Sequence, residues 1–165
     1  MKKFELTSET KINIFGKKLF RIKALISFGN VEAGETGGWV EKEENVNQSG
    51  DAWVFGNAEV FGNARVSGDA EVFGNARVSG NARVSGNAEV FGNADYTTIH
   101  GFGTQFRTTT FFRCKDKQVK VSCGCFYGTI PEFREQVKNT RDGKIAEEYL
   151  MIADLMEKHF AEEAK

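Results

Sequence analysis

Gly50-Asp51-Ala52-Trp53-Val54-Phe55-Gly56-Asn57-Ala58-Glu59-Val60-Phe61 begins a pattern that continues without interruption to Phe91. Alanine recurs at 52, 58, 64, 70, 76, 82, 88 and 94, and valine at 54, 60, 66, 72, 78, 84 and 90, so every gap is six residues. A helix needs an apolar period of about 3.6, and a flat strand alternates in twos. A strict six fits neither, but it fits a short strand followed by a fixed corner, repeated.

Within each hexad the alanine and valine are two apart, so both point to one side of a strand. The Gly-Asn (or Gly-Asp) pair supplies the corner, because these residues tolerate positive φ at least cost. One Val and one Ala per strand then fill a narrow interior. This pattern resembles the hexapeptide-repeat family, whose left-handed β-helix closes one triangular coil from three hexads; the resemblance implies coils of eighteen residues. Val40 and Val46 fall at the alanine register, which places a degraded first coil at Trp39–Ser49. Tyr96 takes the valine slot after Ala94, and the rhythm ends there.

At a period of eighteen, stacked residues lie about 4.8 Å apart on parallel strands. Phe55, Phe73 and Phe91 then form an outward aromatic column, read as sharing a face with Glu59, Arg77 and Asp95. A second face carries Phe61 and Ser79 with Arg65 and Arg83, and a third carries Ser67 and Ser85 with Glu71 and Glu89. An exposed aromatic strip calls for a partner surface, and like charges at strand spacing repel unless something opposite meets them. A cyclic homotrimer satisfies both, with Phe55, Phe61, Phe73, Phe91, Glu71 and Glu89 at its interface. Trimers are also what the hexapeptide-repeat resemblance implies. The alternative is that the phenylalanines pack against terminal segments of the same chain.

The flanks read differently. Lys11–Phe15 and Leu19–Leu25 form a hairpin around Gly16-Lys17-Lys18, and residues 1–38 are assigned to an N-terminal β cap. Residues 39–99 are the coil region, and residues 100–165 a small C-terminal α+β unit. In that unit Thr108–Cys114 and Gln118–Cys123 form a second hairpin. Thr129-Ile130-Pro131-Glu132 has capping-box spacing for a helix to about Asn139. A second helix spans about Lys144–Ala161, with Ile145, Tyr149, Ile152, Met156 and Phe160 on one stripe. The fold class expected is mainly β: a left-handed β-helix with a hairpin cap and a helical C-terminal unit. The runs Arg21-Ile22-Lys23-Ala24-Leu25, Phe28-Gly29-Asn30-Val31, Gly37-Gly38-Trp39-Val40 and Thr109-Thr110-Phe111-Phe112, with Cys123-Gly124-Cys125-Phe126, resemble small phage and prophage proteins. That resemblance implies a virus-encoded accessory protein and brings no assigned activity.

The composition narrows the function. A formal net charge of −1 argues against a nucleic-acid polymer as partner. No apolar run approaches a membrane span, and Phe4-Glu5-Leu6-Thr7 turns polar too early for a signal peptide. Three clustered cysteines, Cys114, Cys123 and Cys125, point to a reducing cytosol, that of the host if the chain is phage-encoded. Their spacing lacks the paired knuckles of a zinc site, so neither metal nor cofactor is expected. His100 is the one candidate base for a divergent hexapeptide acyltransferase, but no loop insertion for an acyl carrier interrupts the coils. No catalytic residue is assigned. Arg65 and Arg83 stack without an obvious partner, while Arg107 and Arg113 flank Thr109, Thr110 and Phe111. Guanidinium forks, hydroxyls and aromatic rings suit a small phosphate-bearing ligand. The expectation is a non-catalytic, oligomeric accessory protein that sequesters a host (cyclic) nucleotide signal. The alternative is an interaction module that docks through the Phe column.

Overall fold

The six-residue rhythm becomes a series of two-residue strands. In the computed structural model, which describes residues 1–161, these are β4 (Trp53–Val54), β5 (Glu59–Val60), β6 (Arg65–Val66), β7 (Glu71–Val72), β8 (Arg77–Val78), β9 (Arg83–Val84) and β10 (Glu89–Val90). They follow β1 (Phe4–Ile12), β2 (Lys18–Ala24) and β3 (Thr36–Val40). Two residues cannot form a stable strand alone; each gains its ladder from the rung one period away. Trp53 pairs with Glu71 and Glu71 with Glu89, Glu59 with Arg77, and Arg65 with Arg83, all in parallel and all eighteen residues apart. The chain visits three parallel sheets in rotation: β4–β7–β10, then β3–β5–β8, then β6–β9.

The valines from 54 to 90 and alanines from 52 to 88 are fully buried and line the interior. Ala94 leaves the series, exposed in a single helical turn at Asn93–Asp95. The corners are set by glycine alone. Gly68 has φ +64° and Gly86 φ +62°, whereas the following Asn and Asp residues stay at negative φ. Space enforces the same choice, since a Cβ at Gly68 would come within 2.9 Å of the Gly86 nitrogen. The expectation that asparagine shares the positive-φ duty is therefore corrected.

The first rung is out of step. Val40 pairs with Val60 and Val46 with Val66, an offset of twenty, so both occupy the valine slot and not the alanine slot read from spacing. Two extra residues precede Gly50, and the small slot above Ala58 falls to Gly38, where a Cβ would lie 2.6 Å from Val54 Cγ1. The buried Asn45 side chain completes this rung, donating to Gly62 O (3.2 Å) and Ala64 O (2.8 Å).

The N-terminal hairpin is present, but its first strand is Phe4–Ile12 and not Lys11–Phe15, since residues 13–15 lie in the turn. β1 pairs with β2, and β2 runs antiparallel to β3, so one sheet passes from the hairpin into the stack in the order β1-β2-β3-β5-β8. This occupies the upper edge of that face, which would otherwise offer unpaired backbone to another strand. On the adjoining face the buried Lys3 ammonium donates to Ala52 O (2.7 Å) and Gly50 O (3.2 Å). Burial draws its pKa down to about 8, with Asp51 working the other way.

The lower end is closed by a four-stranded antiparallel sheet: β11 (Tyr96–Phe102), β12 (Arg107–Arg113), β13 (Val119–Cys123) and β14 (Phe126–Thr129). The hairpin expected at 108–123 forms its centre. β11 and β14 are additional, and β11 crosses the boundary drawn at 99/100. Consecutive residues of β12 enter different cores: Phe112 packs with the stack interior, Phe111 with the helices. α1 (Ile130–Thr140) opens with the expected capping box, Thr129 Oγ1 accepting from the Glu132 N–H (3.3 Å) and Glu132 Oε1 from the Thr129 N–H (3.3 Å). α2 (Gly143–Phe160) buries Tyr149, Ile152, Met156 and Phe160 of the expected stripe. The architecture is mainly β with a small C-terminal helical unit, and no described helix is long and apolar enough to cross a membrane.

Candidate functional site

The three faces of the stack meet different fates. On the face of β5 and β8, Glu59 is 5% exposed and receives Lys11 Nζ at 3.0 Å and Arg77 Nε at 3.6 Å. Asn13 of the hairpin donates to the same carboxylate (3.1 Å). Phe61, expected at an interface between subunits, is instead buried with Leu19 and Trp39, and its ring lies 5.8 Å from that of Phe15. The hairpin fills the place assigned to a neighbouring chain.

Phe55, Phe73 and Phe91 stack as one column, with ring centroids 4.5 and 4.8 Å apart and planes tilted by 8° and 16°. The column follows Val54, Val72 and Val90, so Glu71 and Glu89 share its face, and not Glu59 and Arg77 as read from the sequence. Phe91 at its lower end is 55% exposed. Glu71 is not free for a neighbour: Lys115 of the β12–β13 turn pairs with it at 3.1 Å.

The face of β6 and β9 is bare. Arg65 and Arg83 are paired across it, both exposed, and neither has an ion-pair partner among the described residues. They line a groove of about 870 Å³ between this face and the C-terminal sheet, within the volume range of small-molecule sites. Arg107, Lys42 and His100 line it too. Four permanent cations thus meet one carboxylate, Glu44, in a chain whose net charge is −1. On the other side of the arginine pair lies a second hollow of about 480 Å³, flanked by Asn47, Ser67 and Ser85.

Hydrogen-bonding groups are distributed along the groove. Asn63 and Asn81 stack one rung apart, with amide to carbonyl 3.4 Å, and Lys42 Nζ donates to Asn63 Oδ1 (3.0 Å). His100 Nδ1 lies 3.0 Å from Thr108 Oγ1. It sits where the β11–β12 register slips beside Gly101, at φ +97°; such bulges re-aim side chains near binding sites. Arg107 is fixed by Gln105, whose Oε1 accepts from Nε (3.2 Å) and Nη2 (2.7 Å). Its guanidinium fills the space over Gly124, where a Cβ would lie 1.9 Å from Nη1.

Of the residues assigned to ligand binding from the sequence, Arg65, Arg83 and Arg107 come together here. Thr109, Thr110 and Phe111 do not: all three are buried. The Thr109 hydroxyl reaches Cys123 Sγ (3.1 Å), Thr110 Oγ1 accepts from the Arg83 N–H (3.0 Å), and Phe111 meets Phe133 edge-on. Arg113 pairs with Asp95 at 3.1 Å and covers the Phe160 ring, outside the groove. Lys42, Asn63, Asn81 and Phe106 escaped the sequence reading. Asn63 and Asn81 carried a usable signal, since their eighteen-residue spacing repeats that of Arg65 and Arg83 two positions earlier.

Cys114, Cys123 and Cys125 are free. Burial, reinforced by Asp116, pushes the Cys114 thiol up to about 11, which keeps it protonated at neutral pH. Among the described residues no cluster of three or more His, Cys, Asp or Glu is placed to hold a metal ion. No protein-family model matches the chain, and no curated protein matches it.

Proposed function

We propose that the stacked region is a left-handed β-helix of the hexapeptide-repeat kind and that the chain is a non-catalytic binding protein for a small phosphate-bearing anion. The supporting observation is the Arg65–Arg83 pair. Arg65 and Arg83, paired one rung apart, bring like charges together, and neither has an ion-pair partner among the described residues. A phosphate accepting from both would convert that repulsion into charge-assisted hydrogen bonds, and Arg is the side chain whose fork matches phosphate. Lys42, Arg107 and the Asn63 and Asn81 amides add donors in the same groove. His100 lies 3.0 Å from the Thr108 hydroxyl in the same groove, and in this reading the pair serves ligand binding. In biological terms the reading is a phage-encoded accessory protein of the host cytosol that sequesters a nucleotide signal. Isothermal titration with cyclic mononucleotides and pyrophosphate tests it: saturable binding that is lost in Arg65→Ala/Arg83→Ala is expected. Absence of heat with every anion contradicts it.

A second reading is favoured by the Phe55–Phe73–Phe91 column, whose lower end stays open to solvent. It takes that column as the contact between copies of this chain in a homotrimer. Native mass spectrometry of wild type and Phe73→Ser separates the cases, since a trimer that Phe73→Ser dissolves supports the contact, and a wild-type monomer ends it.

A further inference from the structure

At the mouth of the same groove, the β11–β12 turn holds Phe106 in an unusual state. Its φ is +51°, in the left-handed region, which bulky side chains avoid. The ring gains no burial in return: Phe106 is 64% exposed. The conformation is held by its neighbours. Gln105 and Arg107, one on each side, are joined by two hydrogen bonds, Gln105 Oε1 accepting from Arg107 Nε and Nη2. Arg107 is held in turn against Gly124. Strain of this kind persists where surrounding structure over-determines it, and it clusters at binding sites.

The ring also lines the groove that contains Arg65, Arg83 and Lys42. From this placement we infer that Phe106 is a stacking platform for a flat aromatic ring, so that the ligand is a nucleotide, carrying its base on Phe106 and its phosphate toward the arginine pair. This rests on the anion-binding reading above and narrows it. A sugar phosphate or inorganic phosphate would use only the cationic part of the groove. A base would also cover the exposed ring, because every base presents a π-face whatever its hydrogen-bonding edge. Phe106 sets the class of ligand; the arginines set its charge.

The test compares ligands that differ only in the ring. The full chain is titrated calorimetrically with 5′-AMP, cyclic AMP, ribose 5-phosphate and pyrophosphate, in the wild type and in Phe106→Ala and Phe106→Trp. The expected result is that adenine-bearing ligands bind more tightly than ribose 5-phosphate, and that Phe106→Ala removes roughly a ten- to hundredfold share of their affinity. Phe106→Trp restores it, while ribose 5-phosphate and pyrophosphate bind all three proteins alike. Far-UV circular dichroism checks that the variants keep the fold. Equal affinity for 5′-AMP and ribose 5-phosphate, or nucleotide binding indifferent to Phe106→Ala, overturns the platform and leaves the anion site standing. Binding of none of the four ligands overturns both.

Discussion

On the face built by β5 and β8, the outward slot carries Glu59 over Arg77; on the next face, built by β6 and β9, it carries Arg65 over Arg83. The backbone is the same in both, with the same Ala and Val behind it and the same glycine corner beside it. The first face is self-neutralising and roofed by the hairpin through Lys11, Asn13 and Phe15. The second is like-charged and borders a groove. In a fold where rungs are interchangeable, the outward residue decides whether a face is used up internally or left for something else. A buried carboxylate collects its counter-charges from within the chain, whereas the two exposed arginines find no ion-pair partner among the described residues.

The widest separation between the faces should come from aromatic truncation. Phe61→Ala empties a site enclosed by Leu19 and Trp39 and is expected to cost about 3–5 kcal/mol in urea unfolding. Phe61→Ala as stable as wild type would mean that the hairpin does not cover this face. Next comes the charge beneath it. Glu59→Gln leaves Lys11 and Arg77 facing a neutral amide and should lower stability by about 1–3 kcal/mol, seen as a lower melting temperature. Arg83→Ala on the bare face has the opposite sign: relief of repulsion is expected to leave stability unchanged or raise it by about 0.2–1 kcal/mol at low salt. High salt should shrink the difference, since exposed charges are screened; a clear destabilisation by Arg83→Ala would reveal an internal partner. The smallest effect is reserved for the open end of the Phe column. Phe91→Ser in the monomer should lower the unfolding free energy in urea by less than about 1 kcal/mol.

Much of this was readable in the residues, and the failures have physical reasons. Period six placed every Val from 54 to 90 in the interior, because nothing but a repeated strand and corner keeps that spacing. It misplaced Val40 and Val46, since a two-residue insertion before Gly50 shifts the rung while leaving an apolar residue at each counted position. Arg65, Arg83 and Arg107 could be grouped because stacking and flanking are both local in the pattern. Thr109, Thr110 and Phe111 offered hydroxyls and a ring between two arginines, yet β12 is covered on both sides, by the stack and by the helices, so none of the three reaches the surface. Arg113–Asp95 and Phe61–Phe15 are long-range pairings formed only when the flanking sheets dock. Phe106 carried no pattern at all; a single aromatic residue in a turn shows its strain only in the backbone.

Arg65 and Arg83 are exposed on their face of the stack, whereas Glu59 and its neighbours are covered by the hairpin. A backbone amide NMR titration with pyrophosphate reads both faces at once. Saturable shifts confined to Lys42, Asn63–Arg65, Asn81–Arg83 and Arg107–Thr108, with Glu59 and Arg77 unmoved, are the predicted result. Shifts spread over every exposed lysine and arginine, or no saturation at any residue, would contradict it.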